Sequence, residues 1–349
     1  MNNVLTIYSL SDNEKWDSIV RSFSRYDSYW LSGYVKAFKL HGDGEPVLLY
    51  YENNGTRGIN VVMKRDVSEF KFFEGVIEKG KFFDFSSPYG YGGWIIEGVQ
   101  KEELFSVYEN WCKSNSIVSE FIRFHPVIGN HSYCDDFYEV VPLGQTVALD
   151  LSTPEIIWDN ITGKNKNMIR KALKNDVRIF NGRSPLLFST FRTIYNKTME
   201  RDEAASYYFF EPDFYESICD DFPHNAQIFY AVYRNEIIAA SIMLMANGYM
   251  NYHLSGSLKE YSSLAPSNLL LYEAALWGAA NGCKTLYLGG GVGSGEDSLF
   301  KFKKSFYRQD NLYRFYVGKK IFLQDEYDSL VCARKQKIQS NFFPTYRAE

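Results

Sequence analysis

The chain has 349 residues, 45% of them apolar, and a net charge of −4. That length fits one large domain or two ordinary ones, and the apolar share excludes wholesale disorder. The negative balance excludes an overall electrostatic grip on DNA or any other nucleic acid, leaving only local basic patches for anionic partners.

Aromatic side chains abound, with 27 Tyr, 27 Phe and 6 Trp. They read as a β-rich, ring-packed core, or else as a ring-lined groove for an extended substrate. The cysteines Cys112, Cys134, Cys219, Cys283 and Cys332 are scattered, without CxxC spacing. His41, His125, His131, His224 and His253 form neither HExxH nor HxxxH. Reduced thiols and no metal are expected. The start of the chain lacks a signal-peptide pattern, and the longest apolar run, near 237–246, is far short of the ~20 residues of a membrane span. A soluble, cytoplasmic protein with no transmembrane segment is expected.

In chain order, strands are predicted over 46–51 and 58–63, joined at Asn53-Asn54-Gly55, then over 82–85. A loop, SPYGYGG at 87–93, leads to a helix over 102–114 and a strand over 120–124. After a strand over 145–151, Ser152-Thr153-Pro154-Glu155 reads as a helix start. The order then repeats: strands over 227–233 and 237–245, the Asn247-Gly248 hairpin signal, a strand over 249–254, a loop to Ala265, a Pro-led helix over 266–281 and a strand over 285–288. One α/β unit used twice is predicted, as 1–150 and 151–349, packed together without a flexible linker.

The stretch KTLYLGGGVGSGEDSLFKFKKSF, 284–306, joins a strand, a glycine cluster and a basic segment. A phosphate-cradling P-loop needs Lys and Ser or Thr where Glu296 and Asp297 stand. A dinucleotide fingerprint needs glycine where Ser294 or Glu296 stands. Both are excluded. What remains is a turn, Gly289, Gly290 and Gly291, that lets a ligand or another chain segment approach the backbone. The helix that follows, over 298–306, places Phe302 and Phe306 on one face. Lys303 lies between them in the pattern, suited to direct an ammonium at developing negative charge; Lys301 and Lys304 read as solvated.

LYLGGG at 286–291 followed by LFKFKKSF at 299–306 resembles the C-terminal signature of the FemAB-like transferases. YHLSGS at 252–257, NMIRKA at 167–172 before the strand 177–180, SPYGYGG at 87–93 and FIRFHP at 121–126 resemble further family motifs, in family order and over nearly the whole chain. The resemblance implies two tandem GNAT-like domains, each a mixed, mostly antiparallel sheet flanked by helices. It also implies acyl transfer to an amine. Some relatives move amino acids from aminoacyl-tRNA onto cell-wall peptide precursors; others use acyl-CoA. The expected acceptor is a cell-envelope, peptidoglycan or nucleotide-sugar precursor, as a small molecule or lipid-linked, with acyl-CoA or aminoacyl-tRNA as co-substrate.

Such transfer needs orientation, a proton acceptor and oxyanion stabilisation, and no covalent enzyme intermediate. Lys303 is the candidate for the charge; Tyr252 and His253 are candidates for the proton, with core packing and an ordinary strand histidine as the competing readings. Lys166, Arg170 and Lys171 belong to a basic run in which cations stack at i,i+4. Such stacking destabilises a helix unless an anion, such as a substrate phosphate, sits there; a solvated face is the alternative. Tyr89 and Tyr91 either line an acceptor groove opened by the glycines beside them or form an aromatic turn. Two rival classes remain: a non-catalytic anion-binding module on the same fold, and a glycosyltransferase, disfavoured because no DxD site is present.

Overall fold

A computed structural model describes residues 4–334 and 342–348. The chain divides into two compact units: one from the N-terminus to Leu143 together with Phe315 onward, the other Gly144–Arg314. The expectation of one cut near residue 150 assigned the C-terminal stretch to the second half. The contacts assign it to the first.

The first unit runs β1 (Leu5–Tyr8), α1 (Asn13–Arg21), α2 (Ser32–His41), β2 (Glu45–Asn53), β3 (Thr56–Asp66), β4 (Phe83–Ser86), β5 (Ile95–Glu97), α3 (Lys101–Ser114) and β6 (Ile117–Arg123). The β2–β3 turn is made by Asn54 and Gly55, both at positive φ (47° and 77°), as a two-residue hairpin requires. α3 buries Leu104, Phe105, Tyr108 and Cys112, the i, i+4 spacing of one face, against this sheet. β7 (Glu139–Asp150) then carries the chain into the second unit.

There the order is α4 (Pro154–Asn160), α5 (Gly163–Lys174), β8 (Arg178–Gly182), α6 (Pro185–Arg201), α7 (Pro212–Asp220), β9 (Ala226–Tyr233), β10 (Glu236–Ala246), β11 (Tyr249–Ser257), α8 (Pro266–Ala280), β12 (Thr285–Gly289) and α9 (Ser298–Lys304). The strands lie in the order β7-β12-β11-β10-β9-β8, antiparallel except for β11 beside β12. Thr153, Thr162 and Ser184 cap α4, α5 and α6 through their side chains. α8 packs its apolar length into a core with Met243, Met250, Leu286, Phe300 and Phe306.

β13 (Tyr313–Ile321) and α10 (Gln324–Ala333) bring the chain back to the first unit, whose strand order is β1-β2-β3-β4-β6-β13, with β5 also on β3. Here too the pairing is antiparallel but for one parallel pair, β4 with β6. The predicted repeat is therefore present: hairpin, third strand, crossover helix, parallel strand, in each unit. No helix among the described residues is long and apolar enough to cross a membrane.

Tyr346 and Ala348, within residues 342–348, are buried in the first unit. Tyr346 is fully buried, and its hydroxyl lies 3.0 Å from Ser119 Oγ and donates to Asp84 Oδ2 at 3.1 Å. Asp84, with no exposed surface, also accepts from Arg65 Nε at 2.7 Å and Arg347 Nε at 2.5 Å. Burial alone would raise the Asp84 pKa; the two guanidiniums overcome it and hold the carboxyl below its ordinary value. Asp84→Ala leaves both guanidiniums without their buried partner and is expected to cost about 3–5 kcal/mol in urea unfolding. Because the folded pKa is depressed, this stabilisation is present above about pH 4 and lost as pH falls through the lower folded value. The variant should therefore lose less stability than the wild type on acidification.

Candidate active site

In the second unit the parallel strands β11 and β12 pair only through Tyr249–Thr285, Met250–Leu286 and Asn251–Tyr287. β12 then pairs on its other edge with β7, while β11 runs on to Ser257 beside β10. The two strands part at their C-terminal ends, where a parallel sheet with a crossover helix opens a crevice for ligands. A bulge accompanies the parting: Ile242 pairs with Leu254 and Met243 with Tyr252, so His253 is the extra residue. The equivalent place in the first unit is closed. Beyond β4 and β6, Ser87 N donates to Phe121 O and Gly92 N to Arg123 O, both at 2.9 Å. Arg123 Nε donates to Gly90 O at 2.9 Å, and Gly92 bridges to Phe124.

The glycine turn lies at the end of β12. Gly289 has φ +78°, open to glycine at little cost. A Cβ on Gly290 would stand 2.9 Å from Gln145 O, and one on Gly291 would stand 2.3 Å from Gly295 O and 2.5 Å from Asp297 Oδ1. At Gly290 and Gly291 the close approaches are to the chain itself.

Lys303, on α9, is half-buried and its ammonium donates to Gly290 O at 2.7 Å. Burial lowers its pKa to about 8, opposed by the charge of Asp297. Tyr252, on β11, donates to Ser255 Oγ at 2.6 Å, and burial raises its pKa, so the phenol holds its proton at neutral pH. Burial lowers the His253 pKa to about 3. The imidazole is therefore neutral at neutral pH.

Lys166, Arg170 and Lys171 lie on α5, which packs against α8; Asn268 Nδ2, in the first turn of α8, donates to Asn165 Oδ1 at 2.8 Å. The stacked cations have a partner in the chain: Lys166 Nζ and Arg170 Cζ lie 5.2 and 5.3 Å from the centre of the Trp158 ring. The indole face offers both charges a partner within the chain. Lys171 is exposed.

Tyr89 and Tyr91 belong to the first unit. The Tyr89 ring stacks on Phe38 at 5.3 Å and its carbonyl accepts from Tyr34 OH at 2.5 Å. Tyr91 meets Tyr29 and His125 edge-on, both at 5.3 Å. A Cβ on Gly90 would stand 2.5 Å from the Tyr29 ring, so that glycine makes room for a neighbouring ring. Beneath lies a pair that the sequence reading missed, fully buried His125 Nε2 at 2.9 Å from Asp27 Oδ2. His125 Nδ1 accepts from Ile128 N at 3.1 Å, so Nε2 carries the proton toward Asp27. Among the described residues no group of three or more His, Cys, Asp or Glu is placed to hold a metal ion.

A two-unit α/β chain with this parting in its second unit has the fold of GNAT-type acyltransferases, and residues 168–304 match the family described as acetyltransferase (GNAT) domain. The whole chain has the fold of FemX, with a TM-score of 0.69 at 13% identity over 91% of this chain and 98% of that one. L-PGS from Bacillus licheniformis is similar at TM-score 0.55 and 13% identity, over 93% and 97% of the two chains. A conserved protein of unknown function from Bacteroides thetaiotaomicron VPI-5482 is similar at 0.58 and 10% identity, over 90% and 98%. No curated protein matches the chain.

Trp158→Leu removes both cation–π contacts and leaves Lys166 and Arg170 repelling each other. A loss of about 1–2 kcal/mol is expected in urea unfolding, smaller in added sulfate, which screens the pair. An unchanged unfolding midpoint would return the pair to the role of an anion site.

Proposed function

We propose that the protein is an N-acyltransferase that moves an acyl or aminoacyl group onto the amine of a cell-envelope, peptidoglycan or nucleotide-sugar precursor. The observation that carries this reading is Lys303, a half-buried ammonium on the Gly290 carbonyl at the end where β11 and β12 part. The donor carbonyl lies in that parting and the acceptor amine attacks it directly. Among the described residues Gly290 O takes one of the three ammonium N–H groups, and in our reading the others meet the oxyanion that forms.

The proton lost by the amine must reach the leaving group. Tyr252 already donates to Ser255 Oγ. In our reading Tyr252 O takes the amine proton, its own proton passes to Ser255 Oγ, and the Ser255 proton passes to the departing sulfur or oxygen. The Tyr–Ser pair ends as it began. In our reading Lys166, Arg170 and Lys171 on α5 meet a phosphate-bearing substrate, Lys166 and Arg170 from their positions over the Trp158 ring. The donor is acyl-CoA or aminoacyl-tRNA, the latter making tRNA a partner.

Thermal-shift titrations with acetyl-CoA, CoA and deacylated tRNA separate the donors, since ligand at about 100 times Kd adds roughly 2.7 kcal/mol and moves Tm by a few degrees. With the donor in hand, Lys303→Ala is expected to lower kcat on an amine panel by about 10²–10³. Unchanged turnover would remove Lys303 from the mechanism, and donor binding without any turnover in the wild type would make the protein a binding module. Because the folded amine has a pKa near 8, the charged form is lost above that pH. Turnover should fall there in the wild type and not in Lys303→Arg.

A further inference from the structure

The segment that carries Lys303 is short. α9 has seven residues, too few to hold a helix in water by itself. Phe300 and Phe306 anchor one side of it in the core. Its start is held by Asp297, whose Oδ1 accepts from Phe300 N at 2.8 Å. The other oxygen is spent elsewhere: Oδ2 accepts from Val292 N at 2.7 Å, on the far side of the turn. One carboxylate therefore closes the loop from both ends, and the room for it exists because residue 291 is glycine. Gly290 precedes the first tie by two residues and Lys303 follows the second by three, so both partners of the lysine hydrogen bond hang from the same clamp.

We propose that Asp297 is the positioning residue of this site, tying Val292 to Phe300 so that the Lys303 ammonium stands on the Gly290 carbonyl. The proposal rests on the acyl-transfer reading of Lys303. The electrostatics agree with the geometry, since Asp297 opposes the loss of charge that burial imposes on that amine. The other groups near it do less. β12, against which α9 packs, carries Tyr287 as its one titratable residue. On α9, Lys301 is exposed and Lys304 donates to Gln309 O and pairs with Asp310 at 3.6 Å. Glu296 lies in the exposed turn.

The test is Asp297→Ser. A serine there still caps α9 through its hydroxyl but cannot reach Val292 as well, so the cap is separated from the clamp. Three quantities are read: Tm, kcat, and the titration midpoint of Lys303 by carbon NMR of lysine-labelled protein, the signal assigned by its loss in Lys303→Arg. Expected are a Tm within a few degrees of the wild type, a kcat lowered about tenfold to a hundredfold, and a Lys303 midpoint below the wild-type value. An unchanged midpoint with wild-type kcat would make Asp297 a helix cap and overturn the proposal. A lowered midpoint with wild-type turnover in both Asp297→Ser and Lys303→Ala would uphold the hold of Asp297 on Lys303 and refute the catalytic reading of the lysine instead. Should the serine variant fail to fold, Asp297→Asn, which keeps one acceptor oxygen for Phe300 and loses the charge, gives the same comparison.

Discussion

An ammonium drawn partly out of water needs a hydrogen-bond acceptor, and the end of the second unit is arranged around the one that Lys303 takes. The Gly290 carbonyl faces the lysine because the chain turns at Gly289 with positive φ and passes close to Gln145. The return of the chain into α9 is secured by Asp297, which only a glycine at 291 accommodates. The glycine cluster is thus explained by the geometry of a lysine. A strand end, a tight turn and a capped helix bring one cation to the place where two parallel strands separate.

The two units share an order of elements and differ in what they do with it. In both, a hairpin and a third strand lead through a crossover helix to a parallel partner. In the first unit the loop after β4 continues to bond along β6, and its glycines let Tyr29, Ile122 and Ser87 approach. In the second, pairing stops after three residues and a bulge turns the strand at His253. The same topology continues its bonding past the strand ends in one case and stops after three pairs in the other. This asymmetry supports placing the proposed acyl-transfer site in the second unit.

Local signals in the sequence were reliable where backbone geometry is local. Asn54-Gly55 and Asn247-Gly248 are turns at positive φ, Pro266 opens α8, and Thr153 caps α4 just before Pro154. Charge reasoning carried less well. Lys166 and Arg170 read either as an anion site or as a solvated face, and Trp158, on the preceding helix, lies beside both. Nothing in helical spacing indicates which ring will fold over which cation. Tyr89 and Tyr91 read either as groove residues or as an aromatic turn, and the glycine between them makes room for Tyr29.

By itself the sequence determined the repeated strand–helix order, the exclusion of a P-loop and a dinucleotide fingerprint, and the prominence of Lys303, because period, turn chemistry and motif spacing act over a few residues. Only the tertiary structure decided the pairs of Asp27 with His125, 98 residues apart, and of Asp84 with Arg347, 263 residues apart. It also decided that the chain's end belongs to the first unit and that His253 is too desolvated to hold a proton at neutral pH. Such outcomes depend on which groups are removed from water together, and that follows from the packing of distant segments and from no local pattern.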